Sequence, residues 1–377
     1  MRIYLDNAAT TPLDPEVFEA MKPYMLEDFG NPSSIHSHGR KVKAAIESAR
    51  KQIAELLNCT PGEIIFTSGG TEADNTIITS AVETYGIKNI ILSGLEHHAV
   101  SHTVKHLQDT GVIKSHFVKF DERGNVDLSQ FEALLKQNPK SLVTLMHANN
   151  EIGNLLNMDR VGELCAAFQA YFHSDTVQTV GHYKHDLKNM KVDGMAGAAH
   201  KFHGPKGVGF MFIRKDKKIS PFIHGGSQER NMRGGTENVY GIVGLAKALE
   251  IAYRDMDEHT KHIKGLKSRM IERLKEAVPG ISFNGESGDM EKSLYTVLNV
   301  SLPESDTNDM LLFNLDLQGI SVSGGSACSS GAAMGSHVLN SLHPDSKRGA
   351  IRFSFSKYNE PEEIDIVVDR LQELIKG

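Results

Sequence analysis

A lysine, an aspartate and a glycine turn carry the first chemical signal in this 377-residue chain. Lys201 lies in Ala198-Ala199-His200-Lys201-Phe202-His203-Gly204-Pro205-Lys206-Gly207, an apolar, glycine-bordered stretch between strand-like segments. Burial disfavours the ammonium form of such a lysine, lowers its pKa and frees the amine to form a Schiff base. Lys206, in contrast, reads as an ordinary surface lysine. Asp175 closes Tyr171-Phe172-His173-Ser174, where an α/β sheet presents the carboxyl ends of its strands and ligands sit. A carboxylate there suits a pyridinium nitrogen, and Gln178 is close enough in sequence to reach the same ring. An acidic helix cap is the plainer role for such an aspartate. Ser68-Gly69-Gly70-Thr71-Glu72 falls between a strand and a helix. Its glycines let backbone N–H groups converge on an anion, and the helix dipole adds to the attraction. Read alone, this turn is also no more than a capped helix start.

Phosphate turn, strand-end aspartate, then buried lysine is the order that a pyridoxal 5'-phosphate enzyme of the aspartate-aminotransferase fold needs. Two further residues add to it. Cys328 lies in Ser323-Gly324-Gly325-Ser326-Ala327-Cys328-Ser329-Ser330-Gly331, a polar loop pattern that suits nucleophilic or redox work. Cys165, inside a helical pattern, instead fits the usual role of a buried cysteine as a small hydrophobe. His97, just ahead of a helix and at a strand end, is placed to stack on a cofactor ring. His98, His102 and His106 share one helix face, but no HExxH pattern or carboxylate completes a zinc set, so no metal site is expected.

These residues need a scaffold, and the hydrophobic pattern supplies one. Helical spacing marks residues 39–57, 71–85, 99–108, 128–137 and 159–169. Short apolar strands at 64–66, 89–92, 116–120, 141–146, 171–174 and 207–213 alternate with them. That rhythm means βαβ units, so an α/β fold with a mostly parallel central sheet flanked by helices is expected. Residues 238–278 are helical with a break at 255–257, and a smaller α+β domain follows from Ile281. The expected division is a large domain over 14–256 and a small one made of 1–13 with 257–377, the latter carrying the Cys328 loop.

Composition excludes several classes. Apolar residues make up 40% and charged residues 23%, which fits a globular chain and not a disordered one. A net charge of −6 lacks the footprint of a nucleic-acid binder. No apolar run approaches a membrane span, and the N-terminus shows no secretory pattern. Three cysteines make no disulfide framework and fit a reducing compartment, so a cytoplasmic protein without direct nucleic-acid or membrane contact is expected.

With these residues in place, the chain resembles the cysteine desulfurases of the NifS/IscS type over its whole length. The markers are Tyr4-Leu5-Asp6-Asn7-Ala8-Ala9-Thr10-Thr11, Gly30-Asn31-Pro32-Ser33-Ser34, Thr67-Ser68-Gly69-Gly70-Thr71-Glu72-Ala73-Asp74-Asn75 and Glu96-His97-His98. Further along stand Asn149-Asn150-Glu151-Ile152-Gly153, His200-Lys201, Arg233-Gly234-Gly235-Thr236-Glu237-Asn238, Gly325-Ser326-Ala327-Cys328 and Ile351-Arg352-Phe353-Ser354. The resemblance implies the fold-type-I architecture and a homodimer. It implies that Lys201 holds pyridoxal 5'-phosphate and shuttles protons, with His97 stacked on the ring, Asp175 on its nitrogen and Gln178 on its oxygen. Gly70, Thr71 and His200 would hold the phosphate, joined by the partner subunit's Thr236. Asn150 would contact cofactor and substrate, and Arg352 the substrate carboxylate. L-cysteine would become L-alanine, with Cys328 taking the sulfur as a persulfide. Acceptor proteins for iron–sulfur cluster assembly or tRNA thiolation would receive it. One position departs from the family: Ala198 stands where a serine hydroxyl usually binds the phosphate. Rival readings are another lyase or aminotransferase of the same fold (selenocysteine lyase, kynureninase-like), or a catalytically weak scaffold. Cys328 argues against transamination, which needs no thiol.

Overall fold

The computed structural model describes residues 2–305, 308–324 and 336–376. The chain opens with β1 (Ile3–Tyr4), α1 (Pro15–Leu26) and α2 (Ser37–Leu56). The alternating region follows: β2 (Ile64–Thr67), α3 (Gly70–Tyr85), β3 (Asn89–Ser93), α4 (His98–Asp109), β4 (Lys114–Val118) and α5 (Leu128–Gln137). It continues through β5 (Leu142–Thr144), α6 (Met158–Ala167), β6 (Tyr171–Asp175), β7 (Gly194–Ala198) and β8 (Gly209–Ile213). Two long helices, α7 (Val239–Arg254) and α8 (Met256–Ala277), lead into β9 (Ser282–Phe283) and β10 (Val297–Glu304). Then come α9 (Leu311–Leu317), β11 (Ile320–Ser321), α10 (His337–Leu342), β12 (Arg348–Ser354) and α11 (Pro361–Lys376).

Seven strands form the central sheet in the order β2-β8-β7-β6-β5-β3-β4. Pairs β3–β4, β3–β5, β5–β6 and β6–β7 are parallel, whereas β8 runs antiparallel to both neighbours. Strands buried on both faces must be apolar throughout, with alternate side chains going to opposite layers. In β8, Phe210 and Phe212 join the core under α2 and α7, while Met211 and Ile213 join the opposite core under α3. Ile91 and its neighbours Ile90 and Leu92 divide in the same way. A three-stranded antiparallel sheet, β12-β10-β9, packs under α8 and α11 around a separate core that includes Met270, Leu298, Phe353 and Val368. Ile3 and Leu5 from the N-terminus belong to that second core.

Differences from the sequence reading are local. The edge strand β4 spans Lys114–Val118 instead of 116–120. Of its five side chains only Val118 is buried, so the apolar pattern there hardly fixes the boundary. Helix α1, whose Pro15 and Pro23 blur its periodicity, and the central strand β7, whose Gly194-Met195-Ala196-Gly197-Ala198 run carries little apolar signal, have no counterpart in the pattern reading.

Candidate active site

Sheet direction decides what meets what. Strands β2, β3, β5, β6 and β7 all end on one side, because β8 alone is reversed. The residues that leave those ends are Gly70 and Thr71 after β2, His97 after β3, Met146 and Asn150 after β5, Asp175 on β6 and Lys201 after β7. They line one cavity of about 210 Å³, together with Gln178, Ala198, His200 and Arg352. Nine of the sequence-derived site residues therefore share a single space: Gly70, Thr71, His97, Asn150, Asp175, Gln178, His200, Lys201 and Arg352. Thr236 does not line it; it is exposed in the loop before α7. Cys328 lies outside the described residues.

Lys201 sits in the 3-10 turn Ala199–Lys201 that β7 feeds. Its ammonium donates to the carbonyls of Ala8 and Ala9, the latter at 2.9 Å. The Gln178 amide donates to the same Ala8 carbonyl at 3.0 Å. Thr11 fastens the turn from the other side, its N–H donating to the His200 carbonyl at 2.9 Å. The N-terminal segment thus forms a wall of the cavity, a role its Asp6-Asn7-Ala8-Ala9 marker carries in sequence without showing how. Asp6 also pairs with Arg352 at 2.9 Å, and Arg352 donates to the Asn150 carbonyl at 2.9 Å.

His97 is the N-cap of α4, and its Nδ1 accepts from the Ala99 N–H at 3.1 Å. An amide can only donate, so Nδ1 is unprotonated and the neutral ring carries its proton on Nε2. Burial pulls the His97 pKa down, against the pull of Asp175 in the other direction. Asp175 accepts from the Val177 N–H at 2.9 Å. Burial raises its pKa, while His97, that N–H and Lys201 work to keep it ionised. Burial draws His200 down to about 4, so it stays neutral at physiological pH. The sequence reading missed Asp74. It is buried in α3, lines the cavity, and lies 3.2 Å from His173 Nε2. Burial, then Asp175 and Glu96, push its carboxyl well up. Its place within Thr71-Glu72-Ala73-Asp74-Asn75 was the available signal.

At the start of α3, a Cβ on Gly70 would come within 2.5 Å of Val177 Cγ2, and Gly69 has φ 156°. Both positions need glycine, and the bare turn leaves the first N–H groups of the helix open to the cavity. Glu72 caps the turn by accepting from the Ser68 N–H at 2.9 Å, and Arg233 holds Glu72 at 2.9 Å.

A model of the aminotransferase class-V family matches residues 3–367. The chain belongs to that family. Its members depend on pyridoxal phosphate, and within it this chain stands among the IscS/NifS-like cysteine desulfurases. "Cysteine desulfurase IscS" of Dictyoglomus turgidum is 42% identical over 379 residues, covering 99% of this chain and 94% of that protein. A solved "NIFS-LIKE PROTEIN" superposes with a TM-score of 0.91 at 38% identity and covers 100% of both chains. "SspA in complex with cysteine" superposes at 0.80 with 28% identity, covering 96% of this chain and 100% of that one.

The class-V cofactor fits the residues present. Arg352 Nε is buried at the cavity without a hydrogen-bond partner. The glycine turn offers N–H groups to an anion, and the Asp175 carboxylate and Lys201 amine enter the same cavity. Among the described residues no cluster of three or more His, Cys, Asp or Glu is arranged to hold a metal ion. His98 and His102 stack instead, with ring centroids 4.6 Å apart.

Proposed function

We propose that this cavity converts L-cysteine to L-alanine and delivers the sulfur to Cys328. The observation that carries the reading is the convergence of Lys201, Asp175, His97, Arg352 and the α3 turn on one space. Pyridoxal 5'-phosphate, when bound, supplies an electron sink for the substrate's α-carbon. Lys201 holds it through the amine and moves the α-proton. Asp175 stays ionised to hold the ring nitrogen protonated, and Gln178 and Asn150 orient the ring. Gly70, Thr71 and His200 receive the phosphate. Ala198 offers only a methyl group beside the turn, 3.8 Å from where a Gly70 Cβ would stand. His97, unprotonated at Nδ1 and half-buried, stacks on the ring and moves a proton at Nε2. Arg352 takes the substrate carboxylate.

Cys328 attacks the substrate sulfur as a thiolate: the S–S bond forms, the substrate C–S bond breaks with its electron pair left on the β-carbon, that carbon takes a proton, and alanine leaves. The persulfide then passes to acceptor proteins for iron–sulfur cluster assembly or tRNA thiolation. Two separate apolar cores support the division into 14–256 and 1–13 with 257–377. The exposed position of Thr236 and the exposed apolar residues of α1 and the segment after it support a homodimer. Among the described residues no helix is long and apolar enough to cross a membrane, and we place the protein in the cytoplasm from its cysteine usage. The test is incubation with L-cysteine and a reductant, with sulfide and alanine both assayed. Equal amounts of the two are expected; pyruvate, or no product, overturns the reading.

A further inference from the structure

The turn that follows Asp175 carries a second histidine that neither the motifs nor the reaction above employs. His182 faces Lys201 from beneath. Its Nε2 lies 3.2 Å from the Lys201 carbonyl oxygen, and its Nδ1 lies 3.2 Å from the Tyr295 hydroxyl. A carbonyl only accepts, so Nε2 carries a proton. Burial draws the His182 pKa down to about 4, which leaves the ring neutral and Nδ1 an acceptor at physiological pH. The tautomer is thereby fixed: Nε2–H donates to Lys201, and Nδ1 is open to the Tyr295 O–H.

Tyr295 is itself buried in the core of the β12-β10-β9 unit, its ring edge-on to His182 with centroids 5.8 Å apart. Its hydroxyl also reaches the His182 carbonyl, to which it donates at 3.3 Å. The result is a line of polar contacts from Tyr295 in the C-terminal core through His182 to the backbone of the lysine turn. It runs along a small cavity at the junction of the two cores, lined by His182, Lys201 and Tyr295.

We propose that His182 is a positioning residue that locks the Lys201 turn to the C-terminal core through Tyr295. The lysine must reach both the cofactor and the substrate α-carbon, and a small displacement of a catalytic group costs rate steeply. Thr11 and Val208 hold the turn at His200 and Ala199, and His182 adds a hold at the carbonyl of Lys201 itself. For its activity readout the proposal rests on the desulfurase reading.

The test uses the holoenzyme with His182→Phe, His182→Gln, Tyr295→Phe and the Phe/Phe double variant. His182→Phe and Tyr295→Phe should each lower kcat by about fivefold to twentyfold, the size of one or two lost buried hydrogen bonds, with KM for L-cysteine within about twofold. The double variant should be no slower than the worse single one, because both break the same line. His182→Gln, which donates and accepts across a similar span, should return kcat to within about threefold of the native chain. Independently of turnover, 15N spectra of histidine-labelled protein without cofactor should show His182 protonated at Nε2. Additive losses, no recovery with Gln, an unchanged kcat, or a proton on Nδ1 would each overturn the proposal. A native chain that releases no alanine from L-cysteine sinks the desulfurase reading instead, and the tautomer measurement then still decides the contact.

Discussion

Asp175 ends β6 and Lys201 follows its parallel neighbour β7, and the chemistry follows from their being held at the same end. Lys201→Ala should abolish borohydride-trapped cofactor and turnover together; a reduced peptide mapped to Lys206 would contradict it. Of the three cysteines, Cys59 and Cys165 lie among the described residues. Burial raises the Cys165 thiol far above the usual range and lifts Cys59 to about 12, so neither supplies a thiolate at neutral pH. Cys165→Ser and Cys59→Ser should therefore leave turnover largely intact. Cys328→Ser should bring sulfide release near background while cofactor binding and L-cysteine's effect on the absorption spectrum persist. An inactive Cys165→Ser with active Cys328→Ser would reverse the assignment. Ala198 is buried beside the turn that starts α3, its Cβ 3.8 Å from where a Gly70 Cβ would stand. A hydrogen bond to a charged group is worth about 1.5–3 kcal/mol, so Ala198→Ser should slow loss of colour on dialysis by about tenfold to a hundredfold. Turnover at saturating cofactor should change little.

At the scale of elements, α8 carries a lysine where an apolar residue is expected. Lys267 is fully buried, donating to Ser293 Oγ at 2.7 Å and to the Leu294 carbonyl at 3.0 Å. These bonds fasten α8 to the segment that pairs with Gly153 and Asn154, next to Asn150. Burial pulls the Lys267 pKa down to about 7, with Asp289 opposing it. Below pH 7 both folded and unfolded chains hold the proton, and the burial cost is complete. Between about pH 7 and 10.4 the unfolded chain keeps the proton and the folded chain releases it, so stability rises with pH. Relative to Lys267→Met, the native chain should gain about 2–3 kcal/mol between pH 7 and pH 9 in urea unfolding. A difference independent of pH would mean that Lys267 stays charged in the fold. The lost acceptor contacts of Ser293 and Leu294 cancel in that comparison.

For the whole molecule, α1 and the segment after it expose Phe18, Met25, Leu26, Phe29 and Ile35, the last at 90% of its free area. Apolar side chains gathered in this way mark an interaction surface, and we read it as the homodimer face. Sedimentation should give a dimer, and Leu26→Glu with Phe29→Glu should give monomer. Cofactor should then dissociate faster as well, since the resemblance implies that the partner subunit's Thr236 holds the phosphate. A monomeric native chain that retains cofactor would contradict both expectations.

The sequence by itself determined the alternation of strands and helices, the order of turn, aspartate and lysine, and the family. Each depends on local periodicity or on residues a short distance apart: Ile90-Ile91-Leu92 must be a buried strand, and Gly69-Gly70 must be a tight turn before α3. Pattern reading stopped at contacts between distant residues. That Ala8 and Ala9 receive the Lys201 amine, that Asp6 neutralises Arg352 across 346 positions, and that Asp74 enters the cavity all depend on how two cores pack. The same is true of β8, whose reversal between β7 and β2 brings the end of β2 to the side where β3, β5, β6 and β7 end. An apolar run reads the same in either direction, because hydrophobic burial has no polarity along the chain. Only the tertiary structure, through hydrogen bonds between named partners, decided which way that strand points and what His182 touches.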